Sequence, residues 1–453
     1  MNIAVILSAG SGSRFGSNTP KQFINLAGKN IIEYTIAAFE QNEKIDAICV
    51  VADLTYHKKL KKIVEENGFK KIQKIIQGGD QRKDSSYNAI KEYGHLPHAN
   101  LIFHDAVRPF VSQKIINDTI NALQNYNAID VAIPTADTII QVDNTSKTIE
   151  NIPQRSKLQR GQTPQAFKLE IIQKAHELAN ADKNEPLFTD DCGLVKQYLP
   201  QEKIYVVVGE ERNIKITYPE DLLFGEKLLQ FSSMTLFREN TLAHLKDKVI
   251  VVFGGSSGIG KNIVLQAKEN GAVALAFSRA NAVDVADYKQ VEKAFDGVFQ
   301  KYEKIDYVIN CAATLTKKEL VAMRFEEIVS EINTNFLGSI NVAKSSYKYL
   351  KQTRGSLLFF TSSSYTRGRA DYSIYSSTKA AIVNLTQSLA QEWQKDCIKV
   401  NVINPARTAT PMRKRCFPNE DTSILLNAEI VAEKTLQALL EDFSGLVVDV
   451  RNT

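Results

Sequence analysis

Two glycine-rich turns, each directly after a short apolar run, constrain this chain more than any other feature. The first is Ser8-Ala9-Gly10-Ser11-Gly12-Ser13-Arg14 after Ile3–Leu7; the second is Gly254-Gly255-Ser256-Ser257-Gly258-Ile259-Gly260 after Val249–Phe253. Such a turn brings backbone N–H groups close to a phosphate at the start of a helix. A buried strand feeding a helix in this way opens an α/β domain. Two such openings imply two consecutive Rossmann-like α/β domains. The 453 residues suit that count, because a single core stops growing near ~250–300 residues.

The periodicity of the chain agrees. Ala47–Val51, Leu101–His104 and Val131–Pro134 continue a first parallel sheet, with crossover helices at Ile31–Glu40 and Ile115–Gln124. Val273–Phe277, Tyr307–Ile309, Leu357–Thr361 and Lys399–Asn404 continue a second. The expected division is a first domain over 1–232, a short and fairly stiff linker over 233–245, and a second domain over 246–453.

Composition narrows the function classes. A hydrophobic content of 43% with 24% charged residues is that of a soluble globular protein. The net charge of +5 is spread thinly, which suits small anionic substrates and argues against nucleic acid as a partner. No apolar run approaches the ~20 residues that span a membrane. Met1–Leu7 reads as a buried first strand, not as a signal peptide. The five cysteines, Cys49, Cys192, Cys311, Cys397 and Cys416, form no CxxC pair, so a reduced, cytoplasmic setting is expected.

The first turn lacks the GK[ST] ending of a Walker loop. It is followed by Pro20-Lys21-Gln22, so Arg14 and Lys21 add charge that can stabilise a pentacoordinate phosphorus and a departing pyrophosphate. Further on come Gly78-Gly79-Asp80-Gln81-Arg82-Lys83-Asp84-Ser85, His104-Asp105-Ala106-Val107-Arg108-Pro109, Asp137-Thr138, Gln154-Arg155, Thr163-Pro164-Gln165, Thr189-Asp190-Asp191 and Asn213-Ile214-Lys215-Ile216-Thr217. In these segments and their order, roughly residues 1–230 resemble the 2-C-methyl-D-erythritol 4-phosphate cytidylyltransferase family, including its ribitol-5-phosphate relatives. The resemblance implies attack by a sugar phosphate on the α-phosphorus of CTP. It implies that Ala9, Gly10, Ser11 and Gly12 cradle CTP, with Arg14, Lys21 and Lys215 at the phosphates. Gly79, Asp80 and Ser85 are expected near cytosine and ribose. Asp105 is expected near the polyol and a Mg²⁺ ion held mostly by substrate oxygens. Arg108, Thr138, Arg155 and Lys215 are expected to hold the acceptor phosphate. The polar, hairpin-like residues 139–160 are expected to form a dimerisation arm. His104 is given no role, and Asp105 is also open to reading as a helix cap.

In the second half, Tyr375 and Lys379 stand one helical turn apart and so project from one face. An ammonium there is expected to lower the phenol pKa and permit proton donation to a carbonyl. Ser362 ends an apolar strand upstream and can bond the same oxygen. With Asn310-Cys311-Ala312-Ala313, Asn335 and Asn404-Pro405-Ala406-Arg407-Thr408-Ala409-Thr410, residues 246–453 resemble the short-chain dehydrogenase/reductase family. The implied tetrad is Asn335, Ser362, Tyr375 and Lys379. Gly254, Ser256, Ser257, Gly258, Ile259, Gly260 and Asn310 are expected at the coenzyme, Asp284 and Val285 beside adenine, and Thr410 at the nicotinamide. Phe253, Cys311, Ala313 and Ala406 depart from the family pattern at positions that support the coenzyme loop. The short span suggests a reduced substrate lid. Ser278-Arg279 closes the second strand where NAD enzymes carry an acid, so NADPH is expected; a plain solvated arginine is the alternative.

Together the halves resemble bacterial bifunctional enzymes that join a pentulose-phosphate reductase to a polyol-phosphate cytidylyltransferase. The implied sequence is reduction of ribulose 5-phosphate by NADPH, then activation of ribitol 5-phosphate by CTP to CDP-ribitol for capsule or another surface polymer. Both families imply a homodimer, with a tetramer as the alternative. Two other readings stay open. One is a methylerythritol-phosphate enzyme fused to an unrelated reductase; the other is a cytidylyltransferase with a non-catalytic NADPH-sensing module.

Overall fold

The structure, a computed structural model, describes residues 1–10, 19–143, 145–183, 186, 188–233 and 241–451. The chain forms two compact units, Met1–Gly225 and Glu226–Thr453, and the division falls inside the helix Glu220–Ser233.

The main sheet of the first unit holds β1 (Asn2–Leu7), β2 (Ala47–Ala52), β3 (Ile72–Gln77), β4 (Asn100–Asp105), β5 (Ala128–Pro134), β6 (Gln159–Gly161), β7 (Gln165–Lys168) and β8 (Ile204–Val208). They lie in the order β6-β5-β7-β4-β1-β2-β3, with β8 also paired to β5. The central strands β1, β2 and β4 are buried on both faces, which is why they read as unbroken apolar runs. Ile3 and Val5 enter one core while Ala4 and Ile6 enter the other, as the two-residue period of a strand requires. The sheet is not wholly parallel. The four residues of β7 run antiparallel between β4 and β5, and β6 runs antiparallel along β5. The described residues of 136–161 stand largely exposed and carry a small hairpin, Gln141–Val142 with Ile149–Asn151.

The second unit holds β9 (Val249–Phe253), β10 (Val273–Phe277), β11 (Tyr307–Asn310), β12 (Ser356–Phe360), β13 (Lys399–Pro405) and β14 (Val447–Val450). All six pair in parallel, in the order β10-β9-β11-β12-β13-β14. The order reverses direction at β9, and crevices outside the carboxyl ends of such strands are where α/β sheets bind ligands. A single strand lies beyond β9, whereas the six-stranded dinucleotide-binding order has two there. The chain passes from the turn Arg279–Asn281 to the helix Tyr288–Tyr302 with no strand between them. The brevity that suggested a smaller lid is therefore located at the sheet edge beside Arg279. Phe253, unusual before a glycine turn, is fully buried and packs its ring 5.3 Å from Phe295 and 5.6 Å from Phe277.

Candidate active sites

In the first unit β1 ends at Leu7 and leads into Ala9 and Gly10. Ser11, Gly12 and Arg14 lie outside the described residues. The loop mouth is fixed by Gln22, whose buried side-chain amide donates to the carbonyls of Ser8 (2.7 Å) and Gly10 (3.3 Å). That places the short turn Lys21–Phe23 directly against the loop. From the other side Gly78-Gly79 closes in. A Cβ on Gly78 would stand 2.2 Å from Ala9 Cβ, so only glycine permits the approach. The Gly79 N–H donates to Ser85 Oγ at 3.1 Å, and Asp80 is exposed beside it.

Asp105 ends β4 and is the electrostatic centre of the unit. Its carboxylate pairs with Arg82, with Lys215 Nζ at 2.9 Å and with Arg108 Nε at 3.6 Å. Burial alone would raise its pKa, but Arg82, then Lys215 and Arg108, outweigh it and hold the carboxyl well below its usual range. Arg108 also donates to the carbonyl of Asn213 at 2.7 Å, which fixes the segment that carries Lys215. Arg82 is braced from behind by Asp191 (3.5 Å), which stands 3.5 Å from the buried His176. Sequence analysis assigns Arg82, Asp191 and His176 no role, although Arg82 and Asp191 are charged residues inside the motif segments Gly78–Ser85 and Thr189–Asp191, the signal that points to them. His104 is fully buried and bonds Arg108 O and Thr163 Oγ1, the pattern of a packed histidine.

Thr138 and Arg155 lie on the exposed segment, and Arg155 donates to Ala136 O at 3.3 Å. Among the described residues no hydrogen bond or ion pair joins them to the Asp105 cluster. No group of three metal-binding side chains occurs among the described residues either. Asp105 offers one carboxylate, already shared with cations. That donor set fits a Mg²⁺ ion that takes its other ligands from phosphate oxygens and water.

In the second unit the glycine turn leaves β9 with Gly254 at φ +76° and enters the helix Gly258–Glu269. A Cβ on Gly260 would meet Gly254 O at 2.4 Å, so the helix lies against the turn only because the side chain is missing. This turn forms one wall of a cavity of about 630 Å³. Gly254, Ser256, Ser257, Gly258, Ile259, Gly260, Ser278, Arg279, Asp284, Val285, Ser362, Tyr375, Lys379 and Thr410 all line it. A glycine-lined helix N-terminus at a sheet's switch point fits the pyrophosphate of a dinucleotide. Arg279 is exposed at the β10 end, where no acid stands. Val285 is held by Asn341, which donates to its carbonyl at 2.9 Å, and Thr410 caps the helix Pro411–Cys416.

Two predicted residues do not line the cavity. Asn310 accepts from Ala312 N–H at 3.1 Å and donates to Ser339 Oγ at 3.2 Å, shaping the turn after β11. Asn335 sits in a single π-turn, Asn333–Leu337, wedged between two α-helices. It is wholly buried, accepting from Thr314 N–H at 2.8 Å and donating to Thr314 O at 2.9 Å.

Ser362 follows β12 and caps the turn Ser363–Tyr365. Tyr375 and Lys379 share the first turns of the helix Ser373–Trp393, with Lys379 Nζ 5.4 Å from the Tyr375 ring centre. Lys379 is buried and donates to Phe360 O at 2.9 Å. Burial lowers its pKa to about 8. The expected lowering of the Tyr375 phenol is not found. Burial, and after it the charge of Glu331, hold that phenol above its ordinary value. Lysine spacing alone misled because the desolvation of the phenol outweighs a cation engaged with a backbone carbonyl. The cavity is also lined by Arg369, Tyr372, Arg407, Arg413, Phe417 and Glu420, to which sequence analysis assigns no role.

Comparison with known proteins assigns a family to each unit. Residues 2–231 match the 2-C-methyl-D-erythritol 4-phosphate cytidylyltransferase family, and residues 248–421 match the short chain dehydrogenase family. The chain is 46% identical to a bifunctional ribulose 5-phosphate reductase/CDP-ribitol pyrophosphorylase of Haemophilus influenzae, over 99% of this chain and 95% of that protein. It is 40% identical to a 2-C-methyl-D-erythritol 4-phosphate cytidylyltransferase of Thermobifida fusca, over 50% of this chain and 92% of that one. A solved 4-diphosphocytidyl-2C-methyl-D-erythritol synthase from Anaerococcus prevotii is 30% identical with a TM-score of 0.45, covering 51% of this chain and 98% of that one. The chain belongs to the family of bifunctional ribulose 5-phosphate reductase/CDP-ribitol pyrophosphorylases, a cytidylyltransferase unit followed by a short-chain dehydrogenase unit.

Proposed function

We propose that this chain reduces D-ribulose 5-phosphate to D-ribitol 5-phosphate with NADPH and then transfers CMP from CTP to that product, releasing pyrophosphate and CDP-ribitol. The observation that carries the reading is the pairing of both sites on one chain, 46% identical over 99% of its length to an enzyme bearing both names.

In the reductase site a nicotinamide coenzyme, when bound, supplies hydride. Gly254, Ser256, Ser257, Gly258, Ile259 and Gly260 hold its pyrophosphate, Asp284 and Val285 its adenine, Thr410 its nicotinamide, and Ser278 with Arg279 the 2′-phosphate of NADPH. Tyr375, kept neutral by burial, gives its proton to the ketone oxygen, and the Ser362 hydroxyl bonds the same oxygen. Lys379 stabilises the phenolate that remains. Asn335 and Asn310 are positioning residues that set the loops around them.

In the transferase site a phosphate oxygen of ribitol 5-phosphate attacks the α-phosphorus of CTP. No nucleophilic side chain is needed, because such chemistry rests on positioning and charge neutralisation. Ala9, Gly10, Ser11, Gly12, Gly79, Asp80 and Ser85 bind CTP, with Arg14, Lys21 and Lys215 at its phosphates. Arg108, Thr138, Arg155 and Lys215 take the acceptor phosphate. Asp105 orients the polyol and would contribute one ligand to a Mg²⁺ ion, which would neutralise triphosphate charge. The enzyme acts in the cytoplasm as a homodimer, with a tetramer as the alternative, and its product feeds a capsule or other surface polymer.

Purified protein given ribulose 5-phosphate, NADPH, CTP and Mg²⁺ is expected to consume NADPH and form CDP-ribitol by mass spectrometry. Activity with methylerythritol phosphate and CTP, and no NADPH loss with ribulose 5-phosphate, would replace this reading.

A further inference from the structure

We propose that Arg369 and Arg407 form the anion anchor of the reductase site and grip the terminal phosphate of the ketose. The inference rests on the reductase half of the proposed function and adds how that substrate is recognised.

Four arginines line the cavity, Arg279, Arg369, Arg407 and Arg413. Arg279 stands after β10. Tyr375 is linked through Tyr372 (ring centres 6.3 Å apart) and Phe417 (6.1 Å from Tyr372) to the wall that carries Arg407 and Arg413 with Glu420, and Arg369 lines the same cavity. Arg413 is already committed. Its Nε and Nη2 donate to the two Glu420 oxygens, each at 2.6 Å, and its guanidinium lies 4.3 Å from the Phe417 ring centre. Arg407 shares Glu420 through one longer bond of 3.3 Å, and its side chain is 62% exposed. Arg369 makes no hydrogen bond or ion pair among the described residues. Three guanidinium groups against one carboxylate leave two positive charges, carried by the two arginines with spare donors.

A sugar phosphate with a second pKa near ~6 carries close to two negative charges at neutral pH. Guanidinium groups match its oxygens with paired, planar donors, which a lysine cannot do. Arg369 lies in the turn between Ser363–Tyr365 and the helix Ser373–Trp393, and Arg407 lies just after β13. Both segments line the cavity that also holds Ser362 and Tyr375. A pentulose 5-phosphate has its ketone and its phosphate toward opposite ends. Anchoring the phosphate at this wall therefore selects which carbon meets Tyr375. Glu420 has the complementary task of holding Arg413 against Phe417, so that the wall keeps its shape.

The test uses the full chain with Arg369→Gln, Arg407→Gln, the double variant and Arg369→Lys. The KM for ribulose 5-phosphate is expected to rise about tenfold or more in each glutamine variant, the loss typical of a charge-assisted contact. The preference for ribulose 5-phosphate over free ribulose, taken as the ratio of kcat/KM values, is expected to collapse in the double variant and partly return with lysine. NADPH affinity, read by its fluorescence, is expected to hold. An unchanged KM overturns the anchor; so does a loss confined to NADPH affinity, which would assign these arginines to the coenzyme phosphate. If the wild type leaves ribulose 5-phosphate unreduced, the proposed function fails by itself. The anchor is then judged by whether inorganic phosphate perturbs bound NADPH fluorescence in the wild type and not in the double variant. The same response in both proteins overturns it.

Discussion

In the proposed reduction Tyr375 keeps its proton until a carbonyl arrives. Its phenol is desolvated and faces the buried Glu331, so the neutral form persists through the physiological range. Once the proton has left, the negative charge needs a counterion, and Lys379 lies on the same helix face. Tyr375→Phe is expected to lower kcat for ketose reduction by roughly 10²–10⁴-fold, the usual worth of a positioned acid. NADPH binding by fluorescence and CDP-ribitol formation from supplied ribitol 5-phosphate should persist in that variant. Loss of both would mean that the substitution damaged the fold instead. The pH dependence has a definite sign. The Lys379 pKa is lowered to about 8, so the residue is a cation below that pH and neutral above it. The reductase kcat/KM is therefore expected to fall as pH rises through about 8. A profile flat across that range would remove Lys379 from the charge balance.

At the scale of elements, what decides each site is how closely one segment may approach another. The helix Gly258–Glu269 rests on the glycine turn with no room for a methyl group at Gly260. Gly260→Ala is expected to weaken NADPH binding about tenfold or more in a fluorescence titration, since the helix N-terminus must move away from the pyrophosphate position. Cytidylyl transfer should be untouched, and an alanine variant with wild-type affinity would show that the turn relaxes freely. Features of this kind were legible in the sequence because they are local. A glycine turn after an apolar strand and a tyrosine four residues before a lysine carry their geometry in their spacing. Other features were not legible. The antiparallel β7 is only four residues long, and its partners β4 and β5 precede it across long intervening segments. The π-turn at Asn335 is a shift in backbone hydrogen-bond register inside a continuous helical pattern. Arg369 and Arg407 meet one cavity only because segments after different strands converge there. The sign of the Tyr375 shift depended on burial, which spacing does not encode.

At the scale of the whole chain, each unit carries its own apolar cores and its own candidate site. One core is built on β9, β11 and β12, and two others lie on the two faces of β1. Nothing in the chemistry of either site calls for a side chain from the other unit. The compound that links the two reactions in the proposed function, ribitol 5-phosphate, is a stable, water-soluble anion that can leave one site and enter another. It follows that the two activities should be separable by point substitution and restorable by mixing. Tyr375→Phe removes the proposed proton donor of the reductase, and Lys215→Ala removes a cation that pairs with Asp105 at 2.9 Å in the transferase unit. Neither variant alone is expected to convert ribulose 5-phosphate, NADPH and CTP into CDP-ribitol at more than a few per cent of the wild-type rate. An equimolar mixture is expected to recover most of that rate once ribitol 5-phosphate accumulates, with a lag that shortens as protein concentration rises. If the mixture stays inactive while each variant retains its remaining half-reaction, the intermediate must pass within a single molecule or a fixed assembly, and the view of two independent units on one chain gives way.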